Sequence, residues 1–213
     1  MASSTNNRFK NFTAMVRVGL AAIITAQAPS LFAADVEATA AIEPPATIAP
    51  LRPLAEHPRT SLNVVEQLRR NHYLRKPIDD ALSSIALDKY LNILDSSKSY
   101  FLASDIQAFE ALRYSLDNAL KDSDLDPAFH IFNRYQDRLL NRLNFSLQLL
   151  DQELASFDFE VEETIEIDRE QAEWPADQAE LDDLWRRRLK SQILSLRLSD
   201  KTPEETVETL TKR

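Results

Sequence analysis

The run DPAFHIFNRYQDRLLNRLNFSLQLLDQEL, residues 126–154, decides the fold. Its apolar residues Phe129, Phe132, Tyr135, Leu139, Leu143, Leu147, Leu150 and Leu154 follow one another at steps of three and four. That spacing lines one face of an α-helix. Asp126 suits an N-cap, and Pro127 suits the first helical position, where a missing N–H goes unnoticed. At 1.5 Å per residue the helix spans about 40 Å, which makes it the spine of the domain. This facing puts Leu143 in the core, where aspartate is predicted to abolish folding.

Shorter helical patterns flank the spine. One covers 61–75, with Leu62, Val65, Leu68 and Tyr73 roughly on one side, and Pro77 breaks it. A second covers 78–94, with Leu82, Ile85, Tyr90, Ile93 and Leu94. A third opens at Ser104, with Gln107 placed to reach back to the cap, and carries Ile106, Phe109, Leu112, Leu116 and Leu120. After the spine, residues 155–175 change period. Phe157, Phe159 and Val161 alternate with Asp158 and Glu160, and Ile165 and Ile167 repeat the pattern. This predicts an extended acidic arm over the helices, with a short strand in it. A fifth helix opens at Asp177 with Glu180 three residues on, and carries Leu181, Leu184, Trp185, Leu189, Ile193 and Leu196. A sixth opens Thr202-Pro203-Glu204-Glu205 and runs into Lys212-Arg213 without a C-cap, which reads as a chain truncated at its last helix. The expected fold is all-α: five to six helices around a long central helix, with the extended acidic arm.

The only glycine among 213 residues is Gly19, and there is no cysteine. Phosphate-cradling glycine loops, dinucleotide fingerprints and a glycine-flanked nucleophile elbow are excluded. Disulfides and thiolate chemistry are excluded as well. Residues 1–33 hold Arg8, Lys10 and Arg17 and no acid, so the net charge of −9 becomes −12 over the rest. Such a chain repels nucleic-acid backbones and anionic membrane surfaces.

The N-terminal stretch has the order of a secretory signal: basic residues, the short apolar run VGLAAIITAQA at 18–28, then Pro29-Ser30-Leu31-Phe32-Ala33-Ala34. Cleavage after Ala33 is expected. The apolar run is short against the roughly 20 residues a membrane span needs. No membrane insertion is expected after cleavage. Residues 34–59, with Pro44, Pro45, Pro50, Pro53 and Pro58, read as a disordered proline-rich linker. Residues 60–213 form the helical domain.

No residue reads as catalytic, cofactor-binding or metal-ligating. His57, His72 and His130 fall in no metal-ligand spacing. Ser96-Ser97-Lys98-Ser99 reads as a polar turn, with neither a positioned base nor oxyanion donors. The acids Asp158, Glu160, Glu162, Glu163, Glu166, Asp168, Glu170 and Glu173 lack the glycine-bent loop of a calcium site, and read as a solvated edge. Arg186-Arg187-Arg188 follows Asp182 and Asp183, which offer partners one helical turn back. Trp174 and Trp185 read as core anchors.

Two stretches carry a family resemblance. One joins Arg70-Asn71-His72-Tyr73 to Leu87-Asp88-Lys89-Tyr90-Leu91-Asn92-Ile93-Leu94-Asp95 and Tyr100-Phe101-Leu102-Ala103-Ser104-Asp105-Ile106. The other joins Trp174-Pro175, Glu180-Leu181-Asp182-Asp183-Leu184-Trp185, and the segment from Leu196 to Arg213. Together they resemble the N-terminal domain of the tail-specific (carboxy-terminal processing) proteases of the bacterial periplasm. The resemblance covers residues 57–213 in colinear order. It implies a helical scaffold and docking domain. In full-length members a PDZ domain and a Ser/Lys-dyad endopeptidase domain follow it. It also implies exported protein substrates, processed or degraded from their C-termini, and a lipoprotein adaptor as partner. None of the PDZ or dyad motifs has a matching position here, so the chain itself is not expected to be catalytic. Two other readings stay open: a stand-alone periplasmic helical binding or adaptor protein, and a non-functional remnant.

Overall fold

A computed structural model describes residues 47–213, apart from 72, 74, 75, 154–156 and 213. The expected signal and the first half of the expected linker, with His72 and Leu154, lie outside the described residues. Seven α-helices appear among those described: α1 (His57–Asn71), α2 (Asp80–Leu94), α3 (Ala103–Phe109), α4 (Leu116–Lys121), α5 (Asp126–Glu153), α6 (Gln178–Arg197) and α7 (Pro203–Thr211). No strand occurs among the described residues. The fold is all-α, as expected. α5 has 28 residues and is the spine.

The core forms in three patches, two of which include α5 residues. Leu87 and Leu91 of α2 meet Phe101, Phe109 and Ile131 in the first, with Tyr135 and Trp174 packed against it. Leu149 and Leu150 meet Leu189 and Ile193 of α6 in the second, covered by Phe145, Phe157, Phe159 and Leu210. Leu102 joins Leu181 and Leu184 in the third.

The facing of α5 differs from the sequence expectation. Leu139 and Leu143 are exposed, Leu143 by 47%. The inward stripe is Ile131, Tyr135, Arg138, Arg142, Phe145 and Leu149, again at steps of four and three. Two arginines sit in it, and a search for apolar residues steps around them. They are accommodated by partners on other helices. Arg138 donates through Nε and Nη2 to Asp105 at 2.8 and 3.1 Å, and Arg134 lies 3.5 Å from the same carboxylate. Buried Arg142 pairs with Asp182 of α6 and lies over the Phe145 ring, 4.9 Å from its centroid. Asp182 is therefore taken by Arg142, and the α6 arginines Arg186 and Arg187 both pair with Asp183.

Other helices shift in smaller ways. α1 begins at His57, inside the expected linker, and buries no residue fully; Leu62 and Leu68 are half exposed and Tyr73 lies past its end. On α2 the buried residues are Ser83, Leu87 and Leu91, and Ile85 and Ile93 face out. The expected third helix is broken into α3, a 3-10 turn at Glu110–Leu112, and α4. Its N-cap position is Leu102 rather than Ser104: the Asp105 carboxylate accepts from the Leu102 N–H at 3.0 Å. At α5 the carboxylate that accepts from the first turn belongs to Asp124, which takes the Asp126 N–H at 2.9 Å. At α6 Asp177 accepts from the Glu180 N–H at 2.9 Å, while Glu180 reaches one residue further back than expected, to the Ala176 N–H at 2.7 Å. At α7 the reciprocal Thr202–Glu205 box forms as read.

The arm runs irregularly from Phe157 to Trp174 and carries no short strand. Its acids are exposed, as a solvated edge requires, and Glu163 among them fastens the arm to α6. Glu163 takes hydrogen bonds from Arg186 and Lys190 of α6, and these hold its carboxyl at about 2, well below the ordinary 4.5. Arg187 donates to the Thr164 carbonyl and Lys190 to that of Val161, both at 3.1 Å. A carboxyl depressed in the folded state stabilises it fully above the unfolded value. That contribution disappears as pH falls from about 4.5 to about 2. The melting-temperature gap between the native chain and Glu163→Gln is therefore expected to be constant above about pH 5 and to narrow across that window. A gap that stays flat down to the acid limit would show that Glu163 does not fasten the arm.

Candidate functional site

The two stretches that carry the resemblance meet in space. α2 is followed at its C-cap by Asp95, whose side chain is almost fully buried. Its Oδ1 accepts from the Ser99 N–H at 2.9 Å, and its Oδ2 accepts from those of Tyr100 and Phe101 at 2.8 and 3.0 Å. One side chain thus satisfies three main-chain donors in a loop that no helix or strand supports. Between them Lys98 turns through a left-handed conformation (φ 46°), with its own N–H donated to the Asp95 carbonyl. The expected polar turn at Ser96–Ser99 is this loop.

The second stretch closes over the first. The Trp185 indole N–H donates to the Ser99 carbonyl at 2.6 Å. The Ala103 N–H donates to the Pro175 carbonyl at 2.9 Å. Lys98 Nζ donates to the Ala172 carbonyl at 2.6 Å and lies 5.7 Å from the centre of the Trp174 ring. Arg169 Nε donates to the Ser97 carbonyl at 3.3 Å. Tyr100 packs between Tyr135 and Trp185, with ring centroids 5.5 and 5.4 Å away. Burial pushes the phenol of Tyr100 above its ordinary pKa, and does the same to Tyr135. Both tryptophans are the anchors expected of them.

The polar groups of this hub are engaged with one another. The Ser97 and Ser99 hydroxyls pair at 2.7 Å, and the Ser83 hydroxyl accepts from the Leu116 N–H at 2.9 Å. Among the described residues no cluster of three or more His, Asp or Glu stands close enough to hold a metal ion. His57 opens α1 and its ring stacks near Phe129, with centroids 6.2 Å apart, while His130 meets the Phe109 ring edge-on. What the hub does chemically is hold backbone. It fixes the end of α2, the start of α3, the arm and α6 in one arrangement.

The exposed apolar side chains lie elsewhere. Ile85 and Ile93 of α2, Leu139 and Leu143 of α5, and Leu194 and Leu198 at the end of α6 are all exposed. Among the described residues no helix is long and apolar enough to cross a membrane. The sequence reading missed these positions because it assigned Ile85, Ile93, Leu139 and Leu143 to buried rows.

Residues 64–213 match the family described as "Tail specific protease N-terminal domain". The chain is also similar to the tail-specific protease of Haemophilus influenzae, at 36% identity over 148 residues, covering 69% of this chain and 21% of that relative. The chain spans about a fifth of the length of the curated relative it matches. By the extent of the match, this chain belongs to the family of tail-specific protease N-terminal domains.

Proposed function

We propose that the chain serves as the N-terminal scaffold and docking domain of a periplasmic tail-specific serine protease that processes or degrades exported proteins from their C-termini. The reading includes export by residues 1–33, with cleavage after Ala33, and a lipoprotein adaptor as partner of the assembled enzyme. The observation that supports it best is the division of labour in the fold. Asp95, Ser99–Phe101 and Trp185, from the stretches that carry the resemblance, are spent on an internal brace, and large apolar side chains on α2, α5 and α6 are left outside. A brace with an apolar exterior suits a domain that holds other domains.

The test is a chimera. Residues 57–213 of this chain replace the matched segment of the Haemophilus influenzae tail-specific protease, and cleavage of a reporter with an apolar C-terminus is followed. The chimera is expected to keep activity within roughly tenfold of the parent, about 1.4 kcal/mol in barrier terms. Adding Ile93→Asp and Leu143→Asp is expected to reduce it further without unfolding the domain. A stable, folded but inactive chimera would refute the scaffold role and favour the stand-alone binding protein.

A further inference from the structure

The segment Pro50–Leu54 runs without helix or strand, yet it is tied to the spine. The Leu51 N–H donates to Asn133 Oδ1 at 2.8 Å, and Asn133 Nδ2 donates to the Leu51 carbonyl at 2.9 Å. A side-chain amide that gives to and takes from the same residue reads main chain rather than side chain. Three residues on, the Leu54 N–H donates to His57 Nδ1 at 3.2 Å and the His57 N–H returns to the Leu54 carbonyl at 3.0 Å. These bonds end the extended segment and turn it into α1.

The occupant is suited to such a clamp. Pro50 and Pro53 have no N–H to leave unpaired, and they favour extended backbone. The Leu51 and Leu54 side chains are both exposed, so neither anchors the segment in the core. The segment forms one wall of a cleft of about 670 Å³, and Asp124, Leu125, Asp126, Phe129 and Asn133 stand on the other side. Arg52, of opposite charge to Asp124 and Asp126, lines it as well. The segment thus faces an apolar and acidic wall across open space.

We infer that the crevice at the N-terminal end of α5 is a receptor site for an extended, proline-flanked peptide bearing a basic residue, held in this chain by its own Pro50–Leu54. Asn133 recognises the backbone, the prolines set the conformation, and Asp124 and Asp126 select the charge. A polypeptide of the same chemistry enters when the cis segment leaves. This inference stands on the clamp geometry and is independent of the scaffold reading.

The experiment uses the full chain and a fluorescent peptide of residues 46–56, followed by anisotropy. In the native chain the tethered segment competes at an effective concentration in the millimolar range, so trans binding is weak. Leu51→Pro in the chain removes the N–H that Asn133 accepts and is expected to strengthen peptide binding by at least about tenfold. Adding Asn133→Ala is expected to abolish that gain, and Leu51→Ala, which keeps the clamp, to give none. A peptide carrying the same Leu51→Pro change is expected to bind at background to every chain, a comparison that depends on no protein variant folding. A Leu51→Pro chain with an unchanged melt and no gain would overturn the inference. So would a gain that survives Asn133→Ala, or equal binding of the proline-substituted peptide.

Discussion

An Ile131→Asp chain is expected to show no cooperative thermal transition, while Leu143→Asp melts within a few degrees of the native chain. Both positions lie on α5 and both carry large aliphatic side chains. Ile131 is fully buried between α2, Phe101 and Phe109, whereas Leu143 keeps nearly half its surface in water. A carboxylate at 131 would have to be buried without a partner or neutralised. Either costs several kcal/mol on top of the lost packing, against a total stability of about 5–15 kcal/mol for a domain of this kind. At 143 the carboxylate reaches solvent, and a change within about 1 kcal/mol is expected. Circular dichroism melts of the two chains decide the matter. If Leu143→Asp also lost its transition, the facing of α5 would have to be redrawn.

Asp95→Ala is the second large effect. It removes the acceptor of three buried or half-buried N–H groups at once, and alanine offers nothing in return. Each stranded donor costs on the order of 1–3 kcal/mol, with strong sharing among neighbours, so a total loss of at least about 3 kcal/mol is expected in denaturant unfolding. Asp95→Asn keeps one acceptor oxygen but turns an NH₂ group toward donors, and most of the loss is expected to remain. The readout has a local arm as well. Trp185 is bonded to the Ser99 carbonyl of the same loop. Its fluorescence is therefore expected to shift to the red in the alanine chain before the helical signal falls. An Asp95→Ala chain as stable as the native one would mean that water serves the loop as well as the carboxylate does.

Helix starts were legible wherever local chemistry decides them. Thr202-Pro203-Glu204-Glu205 needs only its own side chains to start a helix, and so does Asp177. The facing of α5 was not legible, because what turns Arg138 and Arg142 inward is Asp105 and Asp182 on other elements. A charged residue inside a stripe looks like a charged residue outside it until its partner is placed. The break in the third helix escaped for a related reason. The caps there are the buried Asp105 carboxylate and the Ser83 hydroxyl of α2, which accepts from the Leu116 N–H. Resemblance marked the Asp95–Asp105 stretch as special, and only the geometry shows that its work is bracing. The strap at Leu51 was hidden because one asparagine 82 residues away holds it, and prolines on either side read as disorder.

Lys98, Ser123 and Asp200 all take positive φ, at 46, 62 and 58°, where a glycine would sit at ease. Each carries a Cβ there, at a cost of roughly 1 kcal/mol of native strain. The same absence of glycine narrows the denatured ensemble, since every residue past Gly19 has fewer conformations to surrender. The strain sits in three corners and the entropic saving is spread over the whole length. A chain built this way tolerates local tightness because it has comparatively little freedom to lose, and its refolding search starts from a smaller space than its length suggests.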